Sequence, residues 1–454
     1  MKKSTGIIVL LAAAIGAYVY FYDLKHTKAT DTSSDTEEGV PSGDSSANSK
    51  PAYSLTAQDV TNLTITRAGA TATFEQRADG WYMTEPVATR ADQSVLGAIA
   101  SELGSVRVDR TLKAAPDRIA TYGLTTPAVT LDFKLKNGTQ HKLQLGARDF
   151  SNLNVYADVD GAKDVALMSD TILISSDKPV DEFRDHSLLE LDSNSVTSFE
   201  LKNESGTIEA KKVNGSWQIE KPRAVPADPG SVSSLLGVVG TARIASFASN
   251  TPDDLAKYDL AHPPITFHAQ LDSGKLVDLQ LGKKDDNAYF ARDPTRPFIF
   301  RVQDTLHTSL STKFFELRDK ALIHADEGDI VRAEIRNAKG DTTCVKASGG
   351  GGWIVEQPAS QKTPPPACPS FWNSLSSARA SDILDTPPAS VTTQLAKPPV
   401  QVTLTDKSGK KIQIQISAAT GDSVYARTNA GPEVLKLNRS ILDDLNFTPT
   451  GIHD

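Results

Sequence analysis

The chain has 454 residues, 39% of them hydrophobic and 23% charged, with a formal net charge of −8. This composition excludes a wholly disordered chain, and the acidic balance, with no concentrated block of Lys and Arg after residue 30, excludes a nucleic-acid footprint. At roughly 150 residues per domain, the length accommodates about three domains.

Lys2 and Lys3 precede an uncharged run over residues 6–22 that ends in Tyr18, Tyr20, Phe21 and Tyr22. At about 1.5 Å per residue, a helix of this length approaches the thickness of a bilayer's hydrocarbon core. Residues 1–26 therefore read as a signal-anchor whose lysines stay in the cytoplasm and whose aromatics suit the far interface. The rival reading is a cleaved signal peptide, but bulky aromatics stand where a small-x-small cleavage site belongs. With no cysteine before Cys344, a lipoprotein is excluded. The expected location is a bacterial inner membrane, crossed once, with the bulk of the chain on the periplasmic side. Residues 27–52 are polar and small, which predicts a disordered tether.

Beyond the tether, one spelling returns three times. Gly80-Trp81-Tyr82-Met83-Thr84-Glu85-Pro86 recurs as Ser216-Trp217-Gln218-Ile219-Glu220-Lys221-Pro222 and as Gly352-Trp353-Ile354-Val355-Glu356-Gln357-Pro358, at a constant interval of 136 residues. Three repeat units are predicted, over residues 53–192, 193–326 and 327–454. Each opens with strand-like alternation: Val60, Leu63 and Ile65; Val196, Phe199 and Leu201; Ile330, Val331 and Ile335. In the following tryptophan strand, residues two apart share a face, so Trp81, Trp217 and Trp353 point into the cores, and Pro86, Pro222 and Pro358 end the ladder.

Six residues past the first two prolines lie Asp92 and Asp228, the latter followed by Pro229, which is a helix-start signal. Leu96, Ile99, Leu103 and Val106 then form an apolar stripe at helical spacing, as do Val232, Leu235, Leu236 and Val239. In the third unit the connection is longer, Cys368-Pro369 takes the place of the aspartate-proline pair, and Phe371, Trp372 and Leu375 carry the stripe. A short helix and turn follow through Tyr122-Gly123-Leu124 and Tyr258-Asp259-Leu260, with the tyrosine replaced by Thr393 in the third copy. Leu143-Gln144-Leu145-Gly146 matches Leu279-Gln280-Leu281-Gly282, and Ile414-Gln415-Ile416-Ser417 exchanges the glycine for serine. Closing segments carry Phe183-Arg184-Asp185 and Leu317-Arg318-Asp319. Strands before and after one amphipathic helix, joined by hairpin-length turns, give an α+β fold: three tandem, mostly antiparallel sheets with one main helix each, behind one transmembrane helix.

Motifs for chemistry are weak. The histidines lack zinc spacing and there is no CxxC, so no metal or cofactor is expected. Residues 349–352 lack the Lys-Ser/Thr of a phosphate loop, and Ser175-Ser176-Asp177-Lys178 matches S-x-x-K without its companion boxes. The acidic cluster Asp326, Glu327 and Asp329 lacks calcium-ligand spacing. Cys344 and Cys368, the only thiols, form an even pair outside the cytoplasm and are a candidate disulfide.

The W-x-x-x-x-P boxes, the Ala91-Asp92 and Ala227-Asp228 helix starts, the Tyr122-x-Leu124-x-x-Pro127 turn and the Leu-x-Leu-Gly strand together resemble the bacterial membrane-anchored proteins of domain-of-unknown-function family 4340. The resemblance covers residues 60–322 well and the third unit less fully. It implies an accessory role beside ABC-type transporters of the gliding-motility kind and supplies no catalytic residues. The expected function is a non-enzymatic scaffold or binding component with ABC-type subunits as partners. An envelope hydrolase acting on glycan or peptide, and a purely structural spacer, remain as alternatives; no small-molecule ligand is indicated.

Overall fold

The computed structural model describes residues 49–113, 119–347, 352–359 and 367–448. The apolar run at residues 6–22 lies outside these, and among the described residues no helix is long and apolar enough to cross a membrane. Three antiparallel sheets follow one another along the chain, with nine, nine and eight described strands.

One plan serves all three. In the first unit, Val60–Arg67, Ala70–Arg77, Gly80–Glu85 and Thr89–Arg90 form a meander running outward to one edge. Val129–Leu135, Gln140–Arg148, Asn154–Val159 and Val165–Ser169 form a second meander running to the opposite edge. The two meet where Leu63 faces Phe133 and Ile65 faces Leu131. The main helix Gln93–Ser105 leaves one edge and returns the chain to the other, at Arg110–Leu112. A connection between opposite edges has to cross the sheet, so the helix buries Leu96, Ile99, Ala100 and Leu103 over the strand residues Leu63, Phe74, Trp81 and Met83. Asp92 accepts hydrogen bonds from the amides of Ser94 and Val95 at 2.9 and 3.0 Å. Asp228 accepts from Ser231 at 2.7 Å at the start of Pro229–Thr241. Each satisfies donors that the first helical turn leaves open.

Several positions differ from the sequence reading. Lys50–Pro51 pairs with Arg107–Val108, so ordered chain begins inside the stretch read as tether. The core of the second unit takes in Leu188, Leu189 and Leu191, and that of the third takes in Leu322 and Ile323. Each structural unit therefore starts a few residues earlier than the repeat spelling. Val331 is exposed although it shares the parity of the inward Ala333 and Ile335, because the register breaks between Ile330 and Arg332 and Ile330 turns inward in its place. Trp81 and Trp217 are buried, but Trp353 is only half-buried, with its indole nitrogen donating to Glu327 at 2.8 Å. The three tryptophan strands all end in a cis peptide bond to proline, at Pro86, Pro222 and Pro358.

The paired loss of tyrosine and glycine in the third unit has a steric cause. The amide of Ala147 donates to the carbonyl of Tyr122 at 2.8 Å, which brings that carbonyl so close to Gly146 that a Cβ would overlap it. Gly282 stands in the same relation to Tyr258. In the third unit the helix Ala389–Ala396 replaces the tyrosine turn, and the position opens to Ser417, whose hydroxyl donates to Ala418 and accepts from the Tyr425 amide. The short helix expected ahead of the Tyr122 turn would begin at residues 116–118, which lie outside the described residues.

Cys344 and Cys368 are bonded, with Cα atoms 6.0 Å apart. The Cys368 amide donates to the carbonyl of Trp353, as Ala91 does to Trp81 and Ala227 to Trp217. Cys368 therefore occupies the alanine position and Pro369 that of the aspartate, one residue off the sequence alignment. The third unit accordingly has no aspartate cap, and its main helix shrinks to Trp372–Ser377.

Candidate functional site

The residues that set this chain apart from three independent beads lie at its junctions. Phe183-Arg184-Asp185 runs as an extra rung along the edge of the first unit: the Asp92 amide donates to Phe183, Ala91 pairs with Arg184, and the Asp185 amide donates to Arg90. Alternation along an extended segment sends neighbouring side chains to opposite sides. Phe183 enters the first core, edge-on to Phe74 with ring centres 5.6 Å apart. Arg184 enters the second unit, where its guanidinium lies 3.4 Å from the ring centre of Phe247 and 4.6 Å from that of Phe298. It is 1% exposed, bonds Asn250 at 2.9 Å and pairs with Asp181 at 3.1 Å. Burial lowers its pKa from the ordinary arginine value, and the Asp181 carboxylate opposes that shift.

The chain then turns at once into the second unit. The Ile244 amide donates to His186, and Leu188 donates to Ala242 beside the end of the main helix. The second junction repeats the device. The Asp228 amide donates to Leu317, Ala227 pairs with Arg318, and Asp319 donates to Pro226. Arg318 reaches Asp385 at 2.8 Å, and Arg223 meets the same carboxylate at 2.8 Å. Asn250 and Asp385 each immediately follow the short edge strand of their unit, Ser246–Ser249 and Asp382–Leu384. The arginine is constant while its receptor changes from amide to carboxylate.

Beside the first junction opens a cleft of about 380 Å³, walled by Tyr82 and Arg90 from the first unit, Glu190 from the connection, and Lys275, Arg296 and Phe298 from the second unit. Glu190 bridges its walls, at 3.4 Å from Arg90 and 2.6 Å from Lys275. The hydrogen bond from Lys275 is the main cause holding the Glu190 carboxyl below its usual range. Arg296 pairs with Asp293 at 3.2 Å and donates to the carbonyl of Ser187 at 2.9 Å. Such a lining can receive an extended polar segment by exchanging ion pairs, with the aromatic ring of Tyr82 at hand.

The tryptophans, prolines and helix-start aspartates singled out from sequence stand apart from this cleft, while Asp185 of the first closing segment lines it. Trp81, Trp217, Pro86, Pro222 and Pro358 belong to the tryptophan strands and their ends, and Asp92 and Asp228 to the helix starts. In the S-x-x-K stretch, Ser176 is buried and donates to Ile172, Ser175 donates to Thr171 and Glu102, and Lys178 lies 3.9 Å from Glu182. No hydroxyl there faces the lysine. Among the described residues no group of three His, Cys, Asp or Glu could hold a metal ion. The cleft was not legible in the sequence, since its walls come from two units and a connection; the recurring Arg-Asp of the closing segments was the available signal.

A model of the family described as Domain of unknown function (DUF4340) matches residues 81–218 and again 217–398. No curated protein matches the chain. Each match begins on a tryptophan strand, and the first runs through Phe183-Arg184-Asp185 into the next tryptophan strand, so it carries the arginine side of the junction while the receptor at Phe247, Asn250 and Phe298 falls in the second match. With the greater part of its length covered by two consecutive matches, this chain belongs to the DUF4340 family.

Proposed function

We propose that the protein is a non-enzymatic, membrane-anchored envelope component that serves an ABC-type transport assembly as a scaffold or binding part. The observation that carries this reading is the repeated arginine junction: the residues that recur between units fill cores, turns, caps and junctions, and the arginines lock one unit to the next. A chain of units joined through buried side chains is suited to hold partners at fixed separations, and the cleft at the first junction is its candidate docking groove. The bonded Cys344 and Cys368 suit an oxidising compartment outside the cytoplasm. The resemblance-based link of this family to transporter genes supplies the class of partner.

The test is copurification of the full chain from membranes in mild detergent. ABC-type transporter subunits are expected to accompany it, and charge reversal at the groove, Glu190→Lys with Arg90→Glu, is expected to reduce their recovery while the thermal unfolding profile stays unchanged. A chain that runs alone under mild solubilisation overturns the scaffold reading. Turnover of envelope glycan or peptide by the purified protein would replace it with a hydrolase.

A further inference from the structure

Most large apolar side chains among the described residues are buried; the most exposed one is Phe150, at 99%. It stands at the tip of the hairpin between Gln140–Arg148 and Asn154–Val159, together with Leu153 at 70%. The tip is firmly built. Asp149 accepts from the Ser151 hydroxyl and the Asn154 side chain, and Leu153 accepts from the Asp170 amide at 3.0 Å. That last bond ties the tip to the helix Thr171–Ser176, whose exposed face carries Ile174 at 58%. The neighbouring cations are all paired, Arg148 with Asp170, Arg67 with Asp177 and Lys178 with Glu182, while the Asp149 carboxylate is held by Ser151 and Asn154 alone.

The other units lack this feature. The same hairpin turns through Asp286-Asn287 in the second unit and through the small residues of segment 417–422, with no large apolar side chain, in the third. Five residues past the preceding strand, where the first unit has Ile174, the others have Thr308 and Asp443. The apolar tip thus belongs to the unit that follows the run at residues 6–22. The chain comes in on the same edge of that unit: Lys50 pairs with Val108, and Asp109 donates to Leu167 in the strand that ends beside Asp170. The segment 27–48 between them, at up to about 3.5 Å per residue, is long enough for the tip to reach the bilayer surface.

We propose that Phe150, Leu153 and Ile174 form a wedge that seats the first unit in the headgroup region of the bilayer. This rests on the membrane-anchored reading above. A lipid surface fits better than a protein: three side chains fall far short of the roughly 800 Å² per partner that a stable protein interface buries, whereas a small apolar tip on a tethered domain needs little area to stay at an interface. Because every neighbouring cation is already paired, the contact is expected to need no anionic lipid and to survive high salt.

The experiment uses the full chain in phosphatidylcholine vesicles with the reporters Phe150→Trp and, as a control in the second unit's turn, Asn287→Trp. The added fluorescence at 150 is expected to be blue-shifted and quenched by lipids brominated high on the acyl chain, in low and high salt alike, while that at 287 is not quenched. A chain that floats with the vesicles but leaves the 150 reporter red-shifted and unquenched overturns the wedge alone. A chain that fails to float overturns the anchor and the wedge together. Quenching that appears only with anionic lipid overturns the neutral-surface argument and with it the proposal.

Discussion

Arg184 shows how much one side chain can be asked to do. Its backbone completes the edge of one sheet, while its guanidinium fills an aromatic slot in the next. A buried cation held by stacking, one amide and one carboxylate is costly to remove, since Phe247 and Phe298 lose their packing and Asp181 its counter-ion. Arg184→Ala is expected to cost about 2–4 kcal/mol by denaturant unfolding. Arg184→Met, which retains an apolar stem over the rings, should cost visibly less. Equal losses for the two variants would mean that packing contributes little to the junction. The recurrence of Phe-Arg-Asp and Leu-Arg-Asp was readable from the letters alone. Its purpose was not, because the receptor Asn250 lies 66 residues further along and its counterpart is a different residue type.

Among the elements, the third unit shows where sequence reading fails and why. Strand alternation and helical stripes are local and survive inspection by eye, which is why the sheets and main helices of the first two units were legible. A connection of altered length slides the alignment by one residue, and only the hydrogen bond from Cys368 to Trp353 restores the register. The same shift places a disulfide between the second strand and the helix approach. Closing a loop of 24 residues, it is expected to stabilise this unit by about 3 kcal/mol. Unfolding of the C344A/C368A variant should show the loss in one transition only, and a thiol titration of the unreduced native protein should find no free thiol.

The connecting element before this unit carries a titratable pair. His324 bonds Asp319 at 3.0 Å, and that hydrogen bond, against the opposing effect of burial, raises the imidazole above its ordinary value. Burial tends to raise the Asp319 carboxyl, but the bonds from His324 and the Ala321 amide leave it lowered. A raised histidine contributes fully below its unfolded value of about 6.5, and the contribution fades as pH climbs through the folded value. The lowered aspartate contributes above the usual carboxylate range and is lost only in stronger acid. Melting temperature is therefore expected to decline from about pH 6.5 upward in the native chain, and His324→Gln should flatten that decline. An identical profile in the variant would remove the pair from any pH response.

For the molecule as a whole, the family match and the architecture divide the chain at different places. Sheets begin at Val60 and Val196, whereas the matches begin at Trp81 and Trp217. Deleting residues 81–216 would join the first hairpin of unit one to the tryptophan strand of unit two. The facing inward pairs Leu63–Phe74 and Ile65–Ala72 would replace Phe199–Ala210 and Leu201–Ile208, so one rung gains volume, the next loses it, and the same four residue types fill the two together. Such a two-unit protein is expected to fold, with a cooperative melt and native-like near-ultraviolet dichroism. A molten product would show that hairpins are private to their own sheet.

The arginine lock gives this offset a consequence for how such chains can arise. A segment copied from tryptophan to tryptophan carries the closing arginine of one unit together with the opening strands of its successor. Loss in that phase removes Arg184 and leaves the Arg318 lock intact, whereas duplication sets a closing arginine against a copied edge that has to supply its own receptor. The length of the array can then be adjusted in whole rungs, each arriving with the arginine half of its fastening.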